Sequence, residues 1–117
     1  MRVTVYGTES ENRELTKAFA ELPNCCYRNI QITGFSDYDS FIAGLKENPP
    51  QFIVITMNGA NGMEGVIAAK NLFENVPVIW FSDDKDFGVQ SYRLGCAYFH
   101  EKPVLPEVLL TAIAKCV

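Results

Sequence analysis

The chain has 117 residues and a formal net charge of −4; at 48% hydrophobic and 21% charged residues it reads as one globular domain, 1–117, with a single core. The acidic balance leaves no basic stripe for phosphate backbones, so direct nucleic-acid binding is not expected. No apolar run approaches the roughly 20 residues of a membrane helix, and nothing behind Met1–Gly7 reads as a signal peptide, so a cytoplasmic protein without membrane contact is expected.

Arg2–Tyr6 reads as a strand. Gly7-Thr8-Glu9-Ser10 turns from it into a helix, where Thr8 and Glu11 fit a capping box. Leu15, Ala18, Phe19 and Leu22 fall on one helical face, and Pro23-Asn24 stops the helix. A second strand is expected around Asn29–Gly34. Ile30 and Ile32 alternate there with polar neighbours, which suits a strand near an edge. Ser36 or Asp37 starts a second helix that buries Phe41, Ile42 and Leu45, and Asn48-Pro49-Pro50 ends it.

The stretch Gln51–Gly65 organises the rest. Phe52-Ile53-Val54-Ile55-Thr56 has no polar alternation, as expected of a strand covered on both faces. It breaks into Met57-Asn58-Gly59-Ala60-Asn61-Gly62, read as a flexible turn because its spacing matches no phosphate-binding loop. A third helix is expected over Glu64–Asn75 and a buried strand over Val76–Ser82, with Pro77 at its start. A fourth helix over Asp83–Leu94 has poor amphipathicity, with Gly95 as its C′ residue. A fifth strand, Ala97–Glu101, is closed by Lys102-Pro103, and a last helix covers Leu105–Cys116. Strands alternating with helices imply right-handed parallel crossovers. The fold class is therefore α/β: a single doubly wound, five-stranded parallel sheet between helix layers, flavodoxin-like, in order 2-1-3-4-5.

Cys25, Cys26, Cys96 and Cys116 form no C-x-x-C pair and no His/Cys cluster, so no zinc site is expected and the thiols read as reduced, small hydrophobes.

Three anchors resemble the receiver domain of bacterial response regulators, most like those of LytTR-type regulators. They are Pro50–Thr56 with Gly62-Met63-Glu64-Gly65, Val76–Ser82, and Phe99-His100-Glu101-Lys102-Pro103. The resemblance implies a place where an Asp accepts a phosphoryl group, two acidic residues hold Mg²⁺, a Ser or Thr and a Lys bind the phosphoryl oxygens, and the peptide before the Pro is cis. Ser82 and Lys102 match the last two. The acidic pair falls on Gly7 and Thr8, and the acceptor falls on Thr56, or on Met57 because the following loop is one residue longer. No carboxylate remains, so neither an aspartyl phosphate nor a tight metal site is expected, and no cofactor. Lys102 is left without a carboxylate of the family's kind; Asp83, Glu9, solvent or a stray anion are its expected partners.

The family's switch aromatic falls on Phe99, expected to stay buried and fixed. His100, the one histidine, reads as a surface or satisfied residue. The chain is thus expected to be a pseudo-receiver: a non-enzymatic module of a two-component or phosphorelay pathway that acts by protein contact, with no output domain. Its expected partner is a histidine kinase, a regulator or a second copy. The surface the resemblance offers lies on the fourth helix, fifth strand and fifth helix: Asp86, Gln90, Arg93, Tyr98, His100 and Glu107. Two alternatives stand beside it: a phosphorylatable receiver with an atypical acceptor, and a flavodoxin-like flavin mononucleotide binder or enzyme using Gly7–Ser10 as a phosphate loop.

Overall fold

A computed structural model describes residues 1–22 and 30–116. The Cys25-Cys26 pair, the helix stop at Pro23-Asn24 and the start of the second strand at Asn29 lie outside the described residues. In chain order the elements are β1 (Arg2–Tyr6), α1 (Glu9–Ala20), β2 (Gln31–Phe35), α2 (Tyr38–Glu47), β3 (Phe52–Ile55), α3 (Gly59–Leu72), β4 (Val78–Ser82), a 3₁₀ turn (Lys85–Phe87), α4 (Gly88–Arg93), β5 (Tyr98–Glu101) and α5 (Pro106–Ala114). All strand pairs are parallel and the order is β2-β1-β3-β4-β5, as the alternation of elements predicts.

The central strand explains the two-layered core. Successive side chains of a strand point to opposite faces. Phe52 and Val54 therefore join Val5, Leu15, Phe19, Ile79 and Leu109 under α1 and α5. Ile53 and Ile55 join Phe41, Leu45, Val66 and Trp80 under α2 and α3. All four β3 residues are fully buried, so neither face could carry a polar alternation. β2, by contrast, lies at the sheet's edge with mostly exposed or half-buried residues, as its polar neighbours foretell.

Two helices depart from the sequence expectation. α3 begins at Gly59, five residues before the expected Glu64, and ends at Leu72 rather than Asn75. Of the glycines taken for a flexible turn, Gly62 is there for close approach, as is Gly65 beyond it. A Cβ on Gly62 would lie 2.2 Å from the Met57 carbonyl oxygen, and one on Gly65 would lie 2.7 Å from the Tyr6 ring. Of these three, Gly59 has the left-handed conformation, with φ of +61°. The fourth helix is shorter than Asp83–Leu94: Asp84 caps a 3₁₀ turn by accepting from the Asp86 amide at 2.9 Å, and the α-helix proper is confined to Gly88–Arg93. Gly95, with φ of +74°, ends it as expected. The other ends shift less: β5 starts at Tyr98, α5 ends at Ala114, and Asp37 is the N-cap of α2, accepting from the Ser40 amide at 2.9 Å.

The glycines separate experimentally. Tyr6 is buried and stacked on Phe41 with centroids 4.6 Å apart, so it cannot retreat from a methyl group on residue 65. Gly65→Ala is expected to destabilise the fold by roughly 1–3 kcal/mol, the usual cost of overpacking. Gly88 has helical angles, and a Cβ there would stand 3.7 Å from Phe99, an ordinary contact. Gly88→Ala is expected to be neutral or stabilising. Urea midpoints of the two variants measure the contrast.

Candidate functional site

Parallel sheets gather the C-terminal ends of their strands on one rim, where ligands usually bind. Here Gly7 and Thr8 follow β1, Thr56 and Met57 follow β3, Ser82 ends β4 and Lys102 follows β5. The backbone fixes the rim: the Gly7 amide donates to the Phe35 carbonyl at 3.0 Å, the Thr56 amide to Tyr6 at 2.8 Å and the Lys102 amide to Ser82 at 2.8 Å. The Lys102–Pro103 peptide is cis.

The centre of the site is the Lys102 ammonium. It donates to the Thr56 carbonyl at 2.7 Å, to Asn58 Oδ1 at 2.6 Å, and to Glu11 Oε2 in a short ion pair. An ammonium has three hydrogens, and three oxygens take them. This corrects the expectation that Lys102 lacks a carboxylate partner or turns to Asp83, Glu9 or solvent. The carboxylate comes from the capping motif of α1. Thr8 Oγ1 accepts from the Glu11 amide at 3.2 Å, and its hydroxyl donates to Glu11 Oε1 at 3.1 Å. That folds the Glu11 side chain back over the helix start, with Oε2 towards Lys102. Among the described residues this is the one ion pair, with side chains 18% and 27% exposed, partly shielded from the screening that weakens surface pairs.

Gly7 and Thr56 fill one space between them. A Cβ on Gly7 would come within 1.9 Å of Thr56 Oγ1 and 2.9 Å of Asn12 Oδ1. Asn12, which the sequence reading missed, donates from Nδ2 to the Gly7 and Phe35 carbonyls, both at 3.1 Å, tying α1 to the ends of β1 and β2. Thr56 Oγ1 and Asn12 Oδ1 are buried and make no hydrogen bond. Met57 does not share this space; its side chain packs with the α2 and α3 side of the core.

Ser82 is fully buried. Its hydroxyl oxygen accepts from the Asp84 amide at 3.1 Å, and the hydroxyl lies 3.5 Å from Asp83 Oδ1, which also accepts from the Gly59 amide at 3.3 Å. Glu11 and Asp83, the carboxylates beside Lys102 and Ser82, are thus each already engaged. Among the described residues no three His, Cys, Asp or Glu side chains group as metal ligands do. The residues present do not fit the Mg²⁺ that the sequence resemblance implies: the oxygens that converge at the tip of β3 converge on an ammonium instead. Beside them a cleft of about 330 Å³ opens between α1 and the β5–α5 loop, with Leu15, Ala18 and Val104 in its wall.

Phe99 is half-buried rather than buried. β5 is the edge strand and the short α4 covers it incompletely, but the ring packs edge-on against Trp80 at 5.4 Å. His100 is half-buried too, its Nδ1 2.6 Å from the Glu101 carbonyl and its ring stacked near Tyr98 at 6.1 Å. Of the other candidate surface residues, Asp86, Arg93 and Glu107 are exposed and Gln90 is half-buried. On the same helix Val89 is 58% and Tyr92 88% exposed, apolar positions that the charge-interrupted pattern obscured. The thiols of Cys96 and Cys116 are both pushed up to about 11 by burial, for Cys96 against the pull of Lys70, so both stay protonated at neutral pH.

Sixty-four solved chains match this architecture. The chemotaxis protein CheY4 of Vibrio cholerae superposes with a TM-score of 0.81 at 15% identity, over 99% of this chain and 98% of its own. The chain has the fold of a response-regulator receiver domain. The response regulator TrrA of Thermotoga maritima, solved in complex with Mg²⁺ and BeF, gives 0.77 at 14% identity over 99% and 98%. A CheY-like response regulator of Mesorhizobium loti gives 0.74 at 20% over 99% and 98%. No family model matches the sequence, and no curated protein matches it. Within this receiver fold no described helix is long and apolar enough to cross a membrane.

The packing of Gly7 against Thr56 is open to measurement. A buried hydroxyl without a partner costs about 1–3 kcal/mol, so Thr56→Val is expected to stabilise the domain by about 1 kcal/mol. Gly7→Ala is expected to cost at least about 2 kcal/mol, and much less when Thr56 is also Ala. Additive effects in that double-mutant cycle would show that the two residues do not share the space.

Proposed function

We propose that this chain is a pseudo-receiver: a signalling module of two-component type that works through protein contact and does not accept a phosphoryl group. The observation that carries this reading is the saturation of Lys102. An ammonium with all three hydrogens given to Glu11, Thr56 and Asn58 has none to offer a phosphoryl oxygen.

The nucleophile is missing as well. Acyl phosphate formation needs a carboxylate oxygen to attack phosphorus, and Thr56 carries a hydroxyl instead. A hydroxyl attacks only when a base takes its proton. Thr56 Oγ1 is buried and bonded to no side chain, so no base stands beside it. Ser82 Oγ accepts from the Asp84 amide, and its hydroxyl is directed at Asp83 Oδ1 at 3.5 Å.

Against the flavin alternative, Thr8 is committed to capping α1, and its hydroxyl is not free for a phosphate. Output then rests on contact. Asp86, Gln90, Arg93, Tyr98, His100 and Glu107, joined by the exposed Val89 and Tyr92, lie on the 3₁₀ turn, α4, the edge strand β5 and α5 and supply the proposed contact surface. A histidine kinase, another regulator or a second copy of the chain is the proposed partner, in the cytoplasm.

Incubation with acetyl phosphate and Mg²⁺, followed by intact mass measurement, tests the reading. The mass is expected to stay unchanged. A gain of one phosphoryl group overturns the proposal in favour of an atypical acceptor.

A further inference from the structure

Three oxygens of different chemistry converge on the Lys102 ammonium. Glu11 contributes a carboxylate from the first turn of α1, Thr56 a backbone carbonyl from the end of β3, and Asn58 a side-chain amide oxygen from the start of α3. Carboxylate, backbone carbonyl and amide oxygen are the ligand set that hard divalent cations take in proteins. Asn58 adds a second indication. It is the N-cap residue of α3, yet its side chain makes no capping bond. Asn at that position ordinarily accepts from an amide of the first turn, worth about 1 kcal/mol. Here the oxygen turns to the ammonium at 2.6 Å instead. The oxygens therefore form a cage directed at a cation, with the cation supplied by the chain.

We propose that Lys102 is a resident cation: its ammonium occupies an oxygen cage that would otherwise take a divalent metal, so the domain keeps its rim closed without one. This rests on the phosphate-blind reading of the same pocket. The expected occupant, once the ammonium is removed, is Ca²⁺. The two neutral oxygens stand 2.6 and 2.7 Å from Nζ. Ca²⁺ accepts an irregular shell at about 2.3–2.6 Å, whereas Mg²⁺ demands a near-ideal octahedron at about 2.0–2.1 Å. Water would complete the coordination.

The test compares wild type, Lys102→Ala and the Glu11→Gln/Lys102→Ala double variant in millimolar CaCl₂ against NaCl of matched ionic strength. Lys102→Ala is expected to gain roughly 5 °C in Tm, about what a ligand at ten times its Kd gives a domain of this size. Its amide resonances should shift around Glu11, Thr56 and Asn58. Wild type and the double variant should show neither effect. Absence of a gain in Lys102→Ala, or an equal gain in all three proteins, overturns the inference. If Lys102→Ala is unfolded without Ca²⁺, folding on its addition supports the inference; Lys102→Ser, which supplies a further oxygen, is measured in the same way. Failure of both to fold in Ca²⁺ contradicts it, because the metal should replace the ammonium. Phosphorylation of wild type by acetyl phosphate would instead sink the pseudo-receiver reading, so the two failures are distinguishable.

Discussion

One side-chain ammonium joins the segments at the C-terminal rim of the sheet. Lys102 binds a helix start, the tip of the central strand and the cap of the next helix from its own position after β5. Each of those elements is separately anchored in the core. The contacts of Lys102 therefore fix how the rim is arranged. A charge that is partly desolvated needs such partners, because leaving it unpaired costs far more than the pair contributes. The sequence supplies them locally: the capping box that starts α1 also orients the carboxylate that neutralises the lysine.

Around that pair, the site is filled by neutral groups. Gly7 yields its side-chain volume to Thr56, and Asn12 ties the adjoining carbonyls together. Size, not charge, now governs this corner. An acidic side chain on residue 7 would have to displace Thr56 before it could reach any ion. Ser82 and Asp83 are likewise turned to backbone amides of the β4–α4 loop and α3. The charged groups of the rim are thus paired with one another or with backbone amides, while Thr56 Oγ1 and Asn12 Oδ1 are buried without a partner and the apolar Val89 and Tyr92 on α4 remain open to solvent.

Much of the fold is legible in the sequence because burial on both faces leaves a coarse signature. Phe52–Ile55 and Val78–Ser82 contain almost nothing polar, and the alternation of such strands with helices leaves few topologies. Thr8 and Glu11 announce the start of α1 through a motif whose mechanism is local. What fails is local in another way. Gly59, Gly62 and Gly65 look the same in sequence whether a glycine turns the chain or admits a neighbouring carbonyl or ring, and only tertiary contacts tell these apart. The 3₁₀ turn before α4 depends on a cap at Asp84 that competes with ordinary helix formation. The site shows the same division. The absence of the acidic residues is plain at Gly7, Thr8, Thr56 and Met57. The partner of Lys102 is not, because Glu11 stands 91 positions away and is recognisable only once the sheet has brought the start of α1 and the end of β5 to one rim.

The decisive measurement is the coupling free energy between Glu11 and Lys102, from urea unfolding of wild type, Glu11→Gln, Lys102→Met and the double variant. A pair that organises the rim is predicted to couple by more than the ~1 kcal/mol upper end of exposed ion pairs, and to keep most of that coupling in high salt. Coupling of no more than a few tenths of a kcal/mol, or coupling abolished by salt, would contradict the account.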